Sequence, residues 1–204
     1  MSRPDTTLRT RSRRRRMSPP ARRGEAARLA ALFHHRWAAP VLAELERSGG
    51  ARFSPLARRL GVGRESLRRT MDALLDAGWA ARNPGHGHPL RPEYLPTDRG
   101  AGLARAVGNL LPALRAAGLG DAPLRKWWLP LVHATGPGER RFSELVAELP
   151  GVTPRALALA LRDLDAAGVV TRVVVGDWPP RTAYRLTAAG RRLLPLLREV
   201  ARAV

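Results

Sequence analysis

Side chains that bind anions are concentrated in one short segment in the first half of the chain. It reads Arg64-Glu65-Ser66-Leu67-Arg68-Arg69-Thr70-Met71, where leucine and methionine repeat at the spacing of a buried helical face. The groups outside that face that form hydrogen bonds are Arg64, Ser66, Arg68, Arg69 and Thr70. A guanidinium group donates paired hydrogen bonds to a phosphate or to the edge of a guanine base. The chemistry of this segment is therefore recognition of an anion.

The charge of the whole chain also favours an anionic partner. The sequence has 36 basic and 17 acidic residues, which gives a formal net charge of +19 at pH 7. Lys126 is the only lysine and glutamine is absent, as GC-rich coding would favour. That bias explains arginine in place of lysine, but it does not explain the excess of positive charge. We expect the partner to be double-stranded DNA.

A second segment corresponds to the first but is chemically poorer. From Thr153 to Arg162 it has alanine or leucine at most central positions, and only Thr153, Arg155 and Arg162 form hydrogen bonds through their side chains. We expect the first segment to supply more contacts to bases. The second half of the chain would contact phosphates, or would have shifted partly to another interaction. Its phosphate contacts would come from Arg155 and Arg162 of this segment and from Arg172 and Arg181 further along the chain. The alternative is that both bind alike and the alanines contact thymine methyl groups.

Both segments belong to a module that occurs twice. Trp37 and Trp127 stand 90 positions apart. Further pairs at this spacing are Leu67 and Leu157, Met71 and Leu161, Leu74 and Leu164, Gly78 and Gly168, Tyr94 and Tyr184, Thr97 and Thr187, and Gly100 and Gly190. Phe53-Ser54 and Phe142-Ser143 are offset by 89, and Pro150 restores the register. The repeat predicts a first domain with a linking helix over 25–120 and a second with a C-terminal helix over 121–204. Residues 1–24 have no apolar face and are expected to be a basic disordered tail.

Each module has the pattern of two helices, a turn, a third helix and a β-hairpin. Ser54 is expected to cap one helix, with Pro55 in its first turn, and Thr153 and Pro154 recur in these roles before the third helix of the second module. This order predicts a mainly α fold with small β-hairpins (α+β), as two tandem winged helix-turn-helix domains. The third helix would lie in the major groove of DNA. The hairpins would contribute Arg82, Arg172 and Arg181.

The second module resembles the HxlR-type winged helix family, which is close to the MarR group of bacterial regulators. The motifs that carry the resemblance are Lys126-Trp127, Arg141-Phe142-Ser143-Glu144-Leu145, Leu149-Pro150-Gly151-Val152-Thr153-Pro154-Arg155, Ala167-Gly168-Val169-Val170 and Pro179-Pro180-Arg181-Thr182-Ala183-Tyr184-Arg185-Leu186-Thr187. The first module is similar more loosely. The resemblance implies a sequence-specific DNA-binding transcriptional regulator. Relatives usually carry one module and bind as homodimers, and some sense redox state through a cysteine, which this chain lacks.

The helices that end the two modules repeat as well. Leu103, Val107, Leu110 and Leu114 stand at helical spacing, and Leu193, Leu197, Val200 and Val204 follow 90 positions later. In a relative with one module such a helix often pairs two chains. Here the two helices would pack within one chain as a pseudo-dimer, or they would pair between chains. The sequence leaves a monomer and a homodimer both open.

Two further regions are candidates for binding. The N-terminal tail carries Arg13, Arg14, Arg15 and Arg16 among Ser, Thr and Pro, which would lie along phosphates or would serve only as a solubilising extension. His34, Trp37, Trp127 and Trp128 would line a pocket for a small-molecule effector between the modules. Tryptophan at such positions also serves as ordinary core packing.

Other functions have little support in the sequence. There is no catalytic motif, so we expect neither an enzyme nor a cofactor, and His86-Gly87-His88 is interpreted as a turn rather than a metal site. No apolar run suggests a membrane span or a signal peptide, so we expect a cytoplasmic, nucleoid-associated protein. The alternatives are a DNA repair enzyme of tandem winged helices and a non-specific nucleoid protein. Competition with bulk DNA separates the last from a regulator.

Overall fold

Two winged modules follow one another along the chain. The computed structural model describes residues 20–83, 92–120, 122–176 and 180–204. The first half contains α1 (Pro20–Leu32), α2 (Ala38–Ser48), β1 (Ala51–Arg52), α3 (Phe53–Leu60), α4 (Arg64–Asp76), β2 (Ala80–Asn83), β3 (Glu93–Pro96) and α5 (Asp98–Ala116). After a short 3₁₀ turn (Ala122–Leu124), the second contains α6 (Trp128–Thr135), β4 (Glu139–Arg141), α7 (Phe142–Glu148), α8 (Pro154–Ala166), β5 (Val170–Val175), β6 (Arg181–Leu186) and α9 (Ala188–Ala203).

The helix starts differ from expectation at two places. Helix α1 begins at Pro20, inside the segment that we assigned to the tail, and proline is well suited to a first helical turn. The expectation that Ser54 caps α3 is wrong, because the helix already begins at Phe53. In the second module Thr153 caps α8 as expected, and its Oγ1 accepts a hydrogen bond from the backbone N–H of Ala156 at 3.2 Å.

Each wing is a three-stranded antiparallel sheet. The hairpins β2–β3 and β5–β6 form as predicted, while the tip residues 84–91 and 177–179 lie outside the described residues. The short strands β1 and β4 pair with the returning strands, so that the orders are β1-β3-β2 and β4-β6-β5. The sequence pattern did not predict β1 or β4, since two or three residues are too few to show an alternation.

One repeated contact fixes each terminal helix against its wing. Thr97 Oγ1 accepts from the backbone N–H of Gly100 at 3.0 Å and donates to the carbonyl oxygen of Gly78 at 2.7 Å. A Cβ on Gly100 would collide with the carbonyl oxygen of Trp79, so the close approach of α5 requires glycine. The corresponding residues of the second module form the same two bonds: Thr187, Gly190 and Gly168. These residues recur at the 90-residue spacing because they build this contact.

The two halves share one hydrophobic core. Helices α5 and α9 pack against each other, and their apolar residues Leu110 and Leu197 are fully buried. Helix α1 packs on α6 and α9 of the second module. There the Arg28 guanidinium donates to the carbonyl oxygen of Ala201 at 3.2 and 3.3 Å, and Glu25 Oε2 lies 3.2 Å from Nε2 of the buried His133. The first helix thus joins the second module to the first.

Among the described residues, no helix is both long and apolar enough to cross a lipid bilayer.

Candidate nucleic-acid interface

Helix α4 presents a polar face opposite its buried one. Leu67, Met71 and Leu74 are at most 1% exposed and fix the helix against the core. The side chains on its outer face are Arg64, Glu65, Ser66, Arg68 and Arg69, all of them exposed. A rigid helix with such a face, preceded by α3 and a tight turn, is the element that enters the major groove in helix-turn-helix proteins.

Thr70 does not belong to this face. Its side chain is 2% exposed, and its hydroxyl donates to the carbonyl oxygen of Ser66 at 2.8 Å, one helical turn back. The proposal that Thr70 contacts DNA is therefore corrected. The helical spacing placed it at the edge of the polar face, but local hydrogen bonding to the backbone turns a threonine hydroxyl inward.

Glu65 forms an ion-pair clamp with the two central arginines of α4. Its Oε2 accepts from Arg68 at 2.7 Å and 3.1 Å, and its Oε1 accepts from Arg69 Nε at 2.9 Å. The hydrogen bonds from Arg68 and then Arg69 hold the pKa of Glu65 below its usual value, and Glu65 in turn raises the pKa of Arg68. Both arginines are therefore engaged in ion pairs with one carboxylate in the free protein. Glu65 was not among the predicted site residues, although its spacing of three and four residues from the arginines is that of helical ion pairs.

Helix α8 has a different outer surface. Arg155 and Arg162 are exposed and make no hydrogen bond or ion pair to any other residue that the structure describes. Leu159 stands 90 positions after Arg69 and is 55% exposed. Ala158 is also exposed, whereas Ala160 is 8% exposed and belongs to the core. The outer surface of α8 therefore combines two arginines that are unpaired among the described residues with an apolar centre.

The wings carry the remaining basic candidates. Arg82 on β2, Arg172 on β5 and Arg181 on β6 are all exposed. The Arg172 guanidinium donates to Thr182 Oγ1 across the hairpin at 3.1 Å, which holds it against the sheet. Val174 on the same strand is 71% exposed. Arg13, Arg14, Arg15 and Arg16 lie outside the described residues.

The four residues expected at a ligand pocket separate into two groups. His34 and Trp127 line a cleft between the modules. Trp128 is 1% exposed and packs in the core. Trp37 lies under the Arg36 guanidinium, 5.4 Å from the ring centroid, and is not one of the residues that line the cleft. The expectation is thus corrected for Trp37 and Trp128. No group of three metal-ligating side chains occurs among the residues of the described ranges.

Two winged helix-turn-helix units, each with arginines on its third helix and wing, define a DNA-binding protein with a duplicated module. The model of the HxlR-like helix-turn-helix family matches residues 32–115 and again residues 124–203, so the chain belongs to this family. Both modules match separately, as the 90-residue repeat predicted.

Similar proteins are HTH-type transcriptional regulators rather than enzymes. An uncharacterized one from Synechocystis is 35% identical over 91 residues, which cover 45% of this chain and 65% of that protein. Another, YvaP of Bacillus subtilis, is 37% identical over 82 residues, or 40% of this chain and 76% of that protein. The solved structure of reduced YodB from Bacillus subtilis is 25% identical, with a TM-score of 0.39, and the match covers 45% of this chain and 87% of that one.

Proposed function

We propose that the chain is a sequence-specific regulator of transcription in which its two winged modules bind double-stranded DNA as a fused pseudo-dimer. The observation that carries this proposal is the pairing of α5 with α9 within one chain, which places both modules on a single core. Two recognition helices held by one body suit a DNA site with two halves.

The burial of the terminal helices favours a monomer. Leu103, Leu110, Leu193 and Leu197 are at most 3% exposed, so the apolar faces that would pair two chains are already covered. Within the part of the chain that the structure describes, the large apolar side chains that stay exposed are Leu159 and Val174. Because both lie on the recognition helix and wing of the second module, we assign them to DNA and not to a second chain.

The two modules would contact DNA differently. The first module offers Ser66, Arg68 and Arg69 to base edges. For this, the two arginines would release Glu65 and bind DNA instead. The second offers Arg155 and Arg162 to phosphates. Leu159 would face a thymine methyl group, since apolar side chains contact thymine in the major groove. Base contacts specify a site and phosphate contacts position the protein, so the first module would contribute more to specificity.

Selection from random duplexes, followed by titration against bulk DNA at physiological salt, tests the function. We expect one enriched site with two unlike halves, bound about 10³-fold or more tightly than bulk DNA by one chain per duplex. Enrichment of no sequence would contradict a regulator and favour a non-specific nucleoid protein. Two chains per duplex in sedimentation would contradict the pseudo-dimer.

Paired substitutions test the asymmetry. Replacing Arg68 and Arg69 by alanine should relax the preferred sequence, whereas replacing Arg155 and Arg162 should weaken binding to all sequences about equally. Equal loss of sequence preference in both double variants would overturn the asymmetry.

A further inference from the structure

A cleft of about 530 Å³ lies between the two modules. One wall is formed by α1, the loop that follows it and the C-terminal end of α4. The other wall is formed by Lys126, Trp127 and Pro150 of the second module. Cavities of this size hold small organic molecules. Every lining residue belongs to the described part of the chain, so the shape of the cleft does not depend on the wing tips or the tail.

The walls favour a flat, apolar body. Six of the 14 lining residues are alanines: Ala27, Ala30, Ala31, Ala38, Ala73 and Ala77. Such short side chains leave smooth walls with room between them. Trp79 contributes to the wall but is only 8% exposed, whereas the partly exposed Trp127 adds an aromatic face on which a planar ring stacks favourably.

The polar groups of the cleft favour an anion. The titratable residues that line it are His34, His35 and Lys126, and no carboxylate lines it. The charge of Lys126, followed by burial and by His35, lowers the pKa of His34, which shows that the basic groups act on one another. Lys126 Nζ lies 4.8 Å from the ring centroid of Trp127, so a cation stands beside an aromatic face. An anionic group attached to a ring would complement both.

The corresponding positions of the second module are closed by an ion pair. Ninety positions after His35 and Ala73 stand Arg125 and Asp163, and Arg125 Nη1 lies 2.8 Å from Asp163 Oδ2. Val169 replaces Trp79, which removes the aromatic wall. The duplication has therefore diverged at the cleft, and the described residues of the second module do not repeat it.

We propose that this cleft binds a small planar aromatic carboxylate and that its occupancy changes the position of α4 relative to the second module. Helix α4 carries Ala73 on the cleft wall, and Ala77 follows directly after the helix ends at Asp76. Arg69 and Arg68 lie four and five residues before Ala73, slightly more than one helical turn. A ligand that contacts both α4 and Trp127 binds with different affinity when the two modules change their relative position. This difference in affinity couples ligand binding to the conformation of the protein. The second part of the proposal rests on the proposed function; the binding itself does not.

Titration of the full chain with 2-naphthoate, followed by calorimetry and tryptophan fluorescence, tests the binding. We expect saturable 1:1 binding that is lost in Ala31→Phe, a substitution at an exposed position that fills the cleft. Lys126→Gln should weaken binding about 10- to 100-fold, the factor that corresponds to a lost hydrogen bond to a charged group. Arg36→Gln is the matched control, because Arg36 stands beside Trp37 at the corresponding position outside the cleft; binding should be unchanged. Failure to saturate, equal binding of neutral 2-naphthamide, or equal weakening by Arg36→Gln would overturn the proposal.

The link to DNA is measured separately, on the duplex enriched by selection. Naphthoate should change the affinity of the wild-type chain for this duplex and leave that of Ala31→Phe unchanged. If the chain binds naphthoate but enriches no duplex, the regulator function fails and the ligand site stands. If it binds its duplex specifically and naphthoate does not saturate, the ligand site fails alone. Binding of naphthoate without any change in DNA affinity overturns the coupling.

Discussion

The ion-pair clamp of α4 gives a sharp prediction for the substitution Glu65→Gln. One carboxylate binds two guanidinium groups, with shortest separations of 2.7 Å to Arg68 and 2.9 Å to Arg69. Glutamine has nearly the same shape but no charge, so both arginines become free to contact phosphates. The negative charge that repels the phosphates is also removed. Binding to DNA of arbitrary sequence should therefore become tighter and more sensitive to salt.

The magnitude follows from counterion release. Each additional phosphate that is neutralised steepens the plot of log affinity against log salt by about 0.9, so two freed arginines steepen it by up to about 1.8. Between 50 and 200 mM salt the variant should then lose up to about 12-fold more affinity than the wild type. Because the gain is independent of sequence, the preference for the selected duplex over bulk DNA should fall.

Fluorescence anisotropy with a random-sequence duplex, at several salt concentrations, measures both effects. The matched control is Asp72→Asn, which removes one negative charge from the same exposed helical face but breaks no hydrogen bond to a described residue. For Asp72→Asn, the slope of log affinity against log salt should change by less than half of the change expected for Glu65→Gln. Equal slopes for the two variants would show that only net charge matters and would refute the clamp.

Three further predictions concern the scaffold and the tail. In a urea titration, Gly100→Ala should lower the free energy of unfolding by about 1–3 kcal/mol, because the added Cβ meets the carbonyl oxygen of Trp79. Gly102→Ala is the control: its Cβ has no neighbour within 4 Å, so the same titration should show an increase of about 0.5–1 kcal/mol. Leu197→Ala should cost about 2–5 kcal/mol and leave a single unfolding transition in calorimetry, since the buried leucine belongs to a core that both modules share; two separate transitions would count against that core. Replacing residues 13–16 by alanine should reduce the salt slope for DNA by up to about 3.6, and an unchanged slope would mean that the tail does not touch phosphates.

The duplication and the order of elements were predictable because they depend on local signals. Leucine spacing marks α4 and α8, and Thr153-Pro154 marks a helix start. The β-branched run after Gly168 marks β5. These signals arise from neighbours in the chain, so one sequence suffices to detect them, and the leucine spacing recurs in both modules 90 positions apart.

The contacts between the two halves were harder to predict from the sequence. That α1 packs on the second module depends on Arg28 reaching Ala201, residues that no local pattern connects. The sequence likewise could not separate Trp127, which lines the cleft, from its neighbour Trp128, which fills the core, because adjacent positions on a helix start point in different directions. Thr70 was misassigned for a related reason: the helical wheel gives the side of a residue but not whether its hydroxyl turns back to the backbone.

The shared core of the two halves bears on how a cell would use such a protein. A regulator that is active as a dimer of separate chains must first associate. At low abundance the concentration of the active dimer therefore falls with the square of the chain concentration. Helices α5 and α9 meet within one polypeptide, where the local concentration of each for the other is fixed by the chain itself. Occupancy of a DNA site would then follow the number of molecules in simple proportion, down to the few copies that a weakly expressed gene provides.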